Sequence, residues 1–97
     1  MDIPADVLTW IDKHFPACDR DAAVACVLGA VDHRDQSAGP RLLRCAVLAS
    51  HGDLARLKHE VAELRVDFRD VIVAGEYERR SGELVRVRNL SDPIEDA

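Results

Sequence analysis

His59 and Glu63 stand four residues apart, with Asp67 a further turn on and Asp70 close behind. Side chains at that spacing share one face of a helix. An imidazole and carboxylates so placed can hold a divalent ion or work as an acid–base pair. The bland alternative is a solvated face with a His–Glu contact worth about 0.2–0.5 kcal/mol. No second motif of this kind completes a two-metal bundle site within the chain, although a dimer would supply one. The solvated face is therefore the first expectation and the polar site the second.

Other chemistries find less support. Cys18 and Cys26 are eight apart, Cys45 is distant, and neither CxxC nor HxxxH occurs, so ordinary zinc spacings are missing. His14 and Cys18 are one turn apart, but Pro16 breaks the helix between them. Cys26 and Cys45 fall on apolar faces, where a free thiol acts as a small hydrophobe. None of the serines sits in a glycine-framed elbow, and no GxxxxGK or GxGxxG loop offers a phosphate cradle. No metal or cofactor is expected. Arg79, Arg80, Arg86 and Arg88 gather positive charge near the C-terminus, but Glu76, Glu78 and Glu83 interleave them and no aromatic platform accompanies them. Ion pairing within the fold is the simpler reading. Trp10 and Phe15 read as core anchors.

The 97 residues suffice for one domain, with residues 1–90 as its body. Hydrophobic residues form 47% and charged residues 32%, a balance that argues against wholesale disorder. A net charge of −5 gives no basic field to draw nucleic acid or anionic lipid. The odd cysteine count and an N-terminus without a secretory pattern fit a reduced cytoplasm. The longest apolar run, Ala22 to Val31, is about half of what crosses a bilayer. Arginine outnumbers lysine 11 to 2, as in GC-rich bacterial coding.

The elements that must position these groups are helices. Asp2 caps the first, Ile3, Val7, Trp10, Ile11 and His14 share its face, and Pro16 ends it. A second starts near Asp19 with a stripe of Ala22, Ala23, Cys26, Val27, Ala30 and Val31. Val24 and Leu28 make it apolar nearly all round, the mark of a central or interfacial helix whose small residues, Gly29 among them, admit close neighbours. Asp32 to Gly39 is a loop. Pro40 opens a third helix with Leu42, Leu43, Ala46, Val47 and Ser50 on its face, and His51-Gly52 ends it. Asp53 caps a fourth, whose seam is Leu54, Leu57, Val61, Leu64 and Phe68. Arg56, His59, Glu60 and Glu63 lie opposite. Asp67 caps a fifth helix to about Tyr77, followed by a turn at Ser81-Gly82 and an extended arm. The β-branched run Val71-Ile72-Val73 keeps a competing hairpin of 71–79 with 83–88 open. The tail from Ser91 is expected to fray.

Two stretches carry a resemblance. Gly52-Asp53-Leu54-Ala55-Arg56-Leu57 and Asp67-Phe68-Arg69-Asp70-Val71-Ile72-Val73-Ala74-Gly75-Glu76-Tyr77 resemble a segment of small bacterial proteins of unknown function. Gly75 stands where alanine is expected. The resemblance covers the middle third, implies helix for 68–77, and implies no activity.

The expectation is thus a mainly all-α, four- to five-helix bundle with a short C-terminal arm or hairpin. It would serve as a cytoplasmic interaction or regulatory protein without catalysis, with another protein or its own copy as partner. The arm residues Arg79, Arg80, Val85, Arg86, Val87 and Arg88 would be its contact, since a lone strand needs a partner strand, most economically across a two-fold axis. A small metal-dependent or acid–base enzyme using His59, Glu63, Asp67 and Asp70 is the alternative. Membrane and nucleic acid are not expected partners.

Overall fold

The computed structural model describes residues 3–31 and 39–94, apart from the side chains of Val31 and Arg65. The Asp2 cap, the loop over residues 32–38 and the tail beyond Ile94 lie outside the described residues. The chain is mainly helical. Helix α1 spans Ala5–His14, a 3-10 turn covers Ala17–Asp19, and α2 (Arg20–Val31), α3 (Pro40–Ser50), α4 (Leu54–Val66) and α5 (Phe68–Glu76) follow. Strands β1 (Tyr77–Arg80) and β2 (Glu83–Arg86) close the order as an antiparallel hairpin.

Helix boundaries follow local chemistry. Pro40 is the first residue of α3, where its missing N–H costs nothing. Asp53 and Asp67 cap α4 and α5, accepting from the backbone N–H of Arg56 at 3.1 Å and of Arg69 at 3.1 Å. His51 and Gly52 both take positive φ, 53° and 80°. At Gly52 a side chain is doubly excluded, since a Cβ there would run into the carbonyl oxygen of His14.

The central helix is α3, which corrects the central reading of α2 and leaves the interfacial one. Leu43, Cys45, Ala46, Val47 and Ala49 are all buried, because α3 packs against α1, α4 and α5. In α2 only one stripe, Ala23, Val27 and Ala30, is buried, while Ala22, Ala25 and Gly29 are exposed and Leu28 is 40% exposed. Hydropathy all round a helix does not say which face is covered, and outward alanines cost little. Nor does Gly29 admit a close neighbour among the described residues, since a Cβ there would meet nothing within 4 Å. The close approach is at Gly75, where a Cβ would sit 2.6 Å from the Cα of Cys45. Glycine stands in that position because α5 meets α3 there without room for a methyl group.

Helix α4 buries Leu57, Val61 and Leu64 as its spacing predicts. Phe68 leaves the seam and is 48% exposed, because the chain breaks at Asp67 and Phe68 begins a new helix. Glu60, assigned to the outer side, is buried, 3.9 Å from Arg56.

The fifth helix and the hairpin both exist, in series. Helix runs through Glu76, so Val71-Ile72-Val73 is not strand. Tyr77 pairs with Arg86 and Arg80 with Glu83. Ser81 and Gly82, at φ 52° and 81°, make the two-residue turn that matches strand twist. The extended arm therefore finds its partner strand within the chain. Strand pairing ends at Arg86, short of Val87 and Arg88.

The tail is anchored at least to Ile94. Leu90 is 2% exposed within the core. Arg44 donates to the carbonyls of Leu90 at 3.2 Å and Ser91 at 3.4 Å, and the Ile94 N–H donates to Asp6 at 3.0 Å. These contacts fall at the start of the stretch that the sequence reading expects to fray.

Candidate functional site

The base of the hairpin is built on a buried carboxylate. Glu76 is the last residue of α5 and its side chain is wholly enclosed. It sits one turn after Ile72 on the face that packs inward. Arg41 reaches it from α3 with two parallel bonds, Nε to Oε2 at 2.8 Å and Nη2 to Oε1 at 2.9 Å. Arg86 brings Nη2 within 3.0 Å of Oε1 from β2, and the Leu90 N–H donates to Oε2 at 3.1 Å. The Cys45 thiol also donates to Oε2, at 3.9 Å, so donors converge on both oxygens, which suits an ionised carboxylate. The Arg41 bonds outweigh burial and hold Glu76 down at about 2. Its backbone oxygen also accepts from Val87 N–H at 2.8 Å.

A second buried pair lies beside it. Arg44 of α3 forks onto Asp6 of α1 at 2.9 and 3.2 Å while holding the tail carbonyls. Burial pushes the Asp6 carboxyl up, but Arg44 and the Ile94 N–H together leave it below its usual value. Two ion pairs therefore fasten the hairpin and the C-terminal segment to the helices.

The hairpin itself is exposed. Every strand residue except half-buried Tyr77 faces solvent. Leu84 is 53% and Val85 39% exposed. Arg80 pairs with Glu78 at 3.2 Å, and Arg88 lies 3.6 Å from Glu78 while donating to Gly75 O at 2.6 Å. Arg79 is exposed. Ion pairing therefore accounts for Arg80, Arg86 and Arg88.

The residues His59, Glu63, Asp67 and Asp70 are not brought together as a ligand set. His59 and Asp70 are exposed, and Glu63 and Asp67 are half-buried. The Asp67 carboxylate is engaged by Arg69 at 3.0 and 3.3 Å, which lowers its pKa, and it caps α5 as well. Among the described residues no three His, Cys, Asp or Glu side chains are grouped to hold a metal ion. Among the described residues no disulfide is formed. Burial, then the nearby Glu76 charge, pushes the Cys45 thiol up to about 12, so it behaves as a hydrophobe and not a nucleophile.

A groove of about 500 Å³ runs between Trp10, the end of α3 at Leu48 and His51, and the segment from Val87 to Ile94. Trp10 stacks on His14 at 4.3 Å between ring centroids and meets Phe15 edge-on at 6.0 Å. The groove's one arginine, Arg88, is already engaged, so the groove offers no ready anion site.

Glu76, Arg41, Arg44, Asp6 and Leu90 were not legible as a group. The one signal is Glu76 falling one turn after Ile72, a charge on an apolar face. Comparison with family models, with curated proteins and with solved structures finds no match for this chain. Among the described residues no helix is long and apolar enough to cross a membrane.

Proposed function

We propose that the chain is a small interaction or regulatory protein of a bacterial cytoplasm, which works by binding protein, its own copy included, and not by catalysis. One observation carries the reading. A hairpin held rigidly at its base by Glu76 displays Leu84 and Val85 to solvent, on a part of the molecule that the helical core does not need to cover. Exposed apolar side chains among charges are the usual make-up of a protein contact. Three cysteines without a disulfide suit a reducing compartment, and the acidic net charge does not favour nucleic acid. No comparable observation favours the enzyme reading on the His59 face.

The test is light scattering coupled to gel filtration across a concentration series, for the wild type and for Leu84→Lys with Val85→Lys. The wild type should shift towards a larger species as concentration rises. The double variant should not, with its helical circular dichroism unchanged. A wild type that stays monomeric throughout, or a double variant that associates equally well, overturns the reading. Truncation before Leu84 is not a clean probe. It removes Leu90 from the core and strips Glu76 and Arg44 of partners.

A further inference from the structure

We propose that the partner is a second copy of this chain, joined edge to edge along β2 with Val85 opposite the partner's Val85. The proposal rests on the self-association reading above and gives it a geometry. Just beyond the ladder the Val87 N–H bonds to Glu76 O, the bond that a hydrogen-bonded pair would make at that position. Such pairs alternate along an antiparallel ladder. Glu78 with Val85 and Arg80 with Glu83 are therefore bonded pairs as well. It follows that the backbone N–H and C=O of Leu84 and Arg86 point away from β1, towards the open edge. All four β2 residues are exposed.

Self-pairing of antiparallel strands needs a two-fold axis normal to the sheet. Opposed side chains then share a face, so the axis passes through a residue. Through Val85, it sets Leu84 against the partner's Arg86, and the reverse. These are the residues with free backbone groups, so both sites bond. The two valines meet at the closer, non-bonded position, and Leu84 lies along the aliphatic stem of the partner's Arg86. No like charges are opposed. An axis through Leu84 puts Arg86 against the partner's turn glycine, and one through Arg86 sets guanidinium against guanidinium.

The open edge of β1 fails the same examination. Axes through Arg79 or Arg80 oppose arginines. Through Glu78 they oppose glutamates, and through Tyr77 they set Glu78 against the partner's Glu76. Like charges directly opposite are destabilising. Charge pattern therefore selects β2. Strands this short bury less than a stable interface requires, so the association is weak and concentration-dependent.

The experiment is mild oxidation of Val85→Cys in a Cys18→Ser background at a concentration where the wild type self-associates. Opposed residues at a non-bonded position lie about 4.5 Å apart at Cα, within disulfide reach. Val85→Cys should trap a covalent dimer, and Arg79→Cys on the other strand should not. Leu84→Pro, which removes an outward N–H and no bond to β1, should abolish association while the helical spectrum persists. Association without cross-linking through Val85→Cys, or equal cross-linking through Arg79→Cys, overturns this geometry and leaves the self-association reading standing. A wild type that never associates defeats both.

Discussion

Glu76 and Asp67 are both carboxylates facing arginine, both at an end of α5, and both titrate below their ordinary range. They differ in what surrounds them. Glu76 is sealed from water, with donors from α3, β2 and the C-terminal segment converging on it. Asp67 meets a single neighbour two residues away, an arginine that is 78% exposed. An enclosed carboxylate joins distant parts of the chain, and removing its donors would leave a charge in a dry place. An exposed pair is screened by water and holds little. Sequence spacing drew attention to Asp67, yet the structural burden falls on Glu76.

The largest way to test that contrast is Glu76→Ala. It leaves the buried Leu90 N–H without its acceptor and takes the carboxylate from Arg41 and Arg86, whose side chains are 40% and 43% exposed, and should cost about 2–4 kcal/mol. Urea unfolding followed by circular dichroism reads this out, and a loss below that of Asp67→Ala would reverse the comparison. Acid should act on the same group. Its folded value of about 2 lies below the reference value of 4.5. Its stabilisation is thus complete above about pH 4.5 and lost as pH falls towards 2, amounting to about 3 kcal/mol. In Glu76→Ala that part of the pH dependence should vanish.

Gly75→Ala is next. The added methyl would meet the Cα of Cys45 at 2.6 Å and its carbonyl oxygen at 2.8 Å. Backbone cannot yield as a flexible side chain does, so α5 must shift away from α3. Overpacking of this kind costs about 1–3 kcal/mol, against the usual gain of about 1 kcal/mol for replacing glycine within a helix. A variant as stable as the wild type would show that the two helices separate freely. Asp67→Ala should cost only about 1 kcal/mol, the ordinary effect of losing a cap.

Local signals were legible in the sequence. Asp53 and Asp67 cap as their positions suggest, Pro40 opens its helix, and Leu57, Val61 and Leu64 line the buried side of α4. These features depend on a residue and its near neighbours. The order of burial among helices was not legible, because α2 and α3 are both apolar and only the packing of α1, α4 and α5 decides which is enclosed. Glu76 escaped for the same reason. Its partners stand 35 residues before it, at Arg41, and beyond a hairpin turn, at Arg86 and Leu90. The hairpin was seen only in part, since β-branched Val71-Ile72-Val73 drew the strand reading into what is helix. Of the candidate polar site, the shared helix face of His59 and Glu63 was correctly read. The convergence that a ligand would need did not follow from it.

The smallest effect belongs to His59. Its side chain is exposed on α4, on the side away from Leu57, Val61 and Leu64. Replacing it with alanine removes no buried surface and strands no donor. Alanine is also the better helix former by a few tenths of a kcal/mol, which offsets any weak contact with Glu63. His59→Ala should therefore change unfolding stability by less than about 0.5 kcal/mol. Leu57→Ala, on the opposite face of the same helix and fully enclosed, should lose about 2–4 kcal/mol. The pair isolates facing direction from everything else about α4. A His59→Ala loss approaching that of Leu57→Ala would mean that the imidazole has a partner in solution, and attention would return to the His59, Glu63, Asp67 and Asp70 face. A negligible loss leaves Glu76 as the charge on which the fold depends.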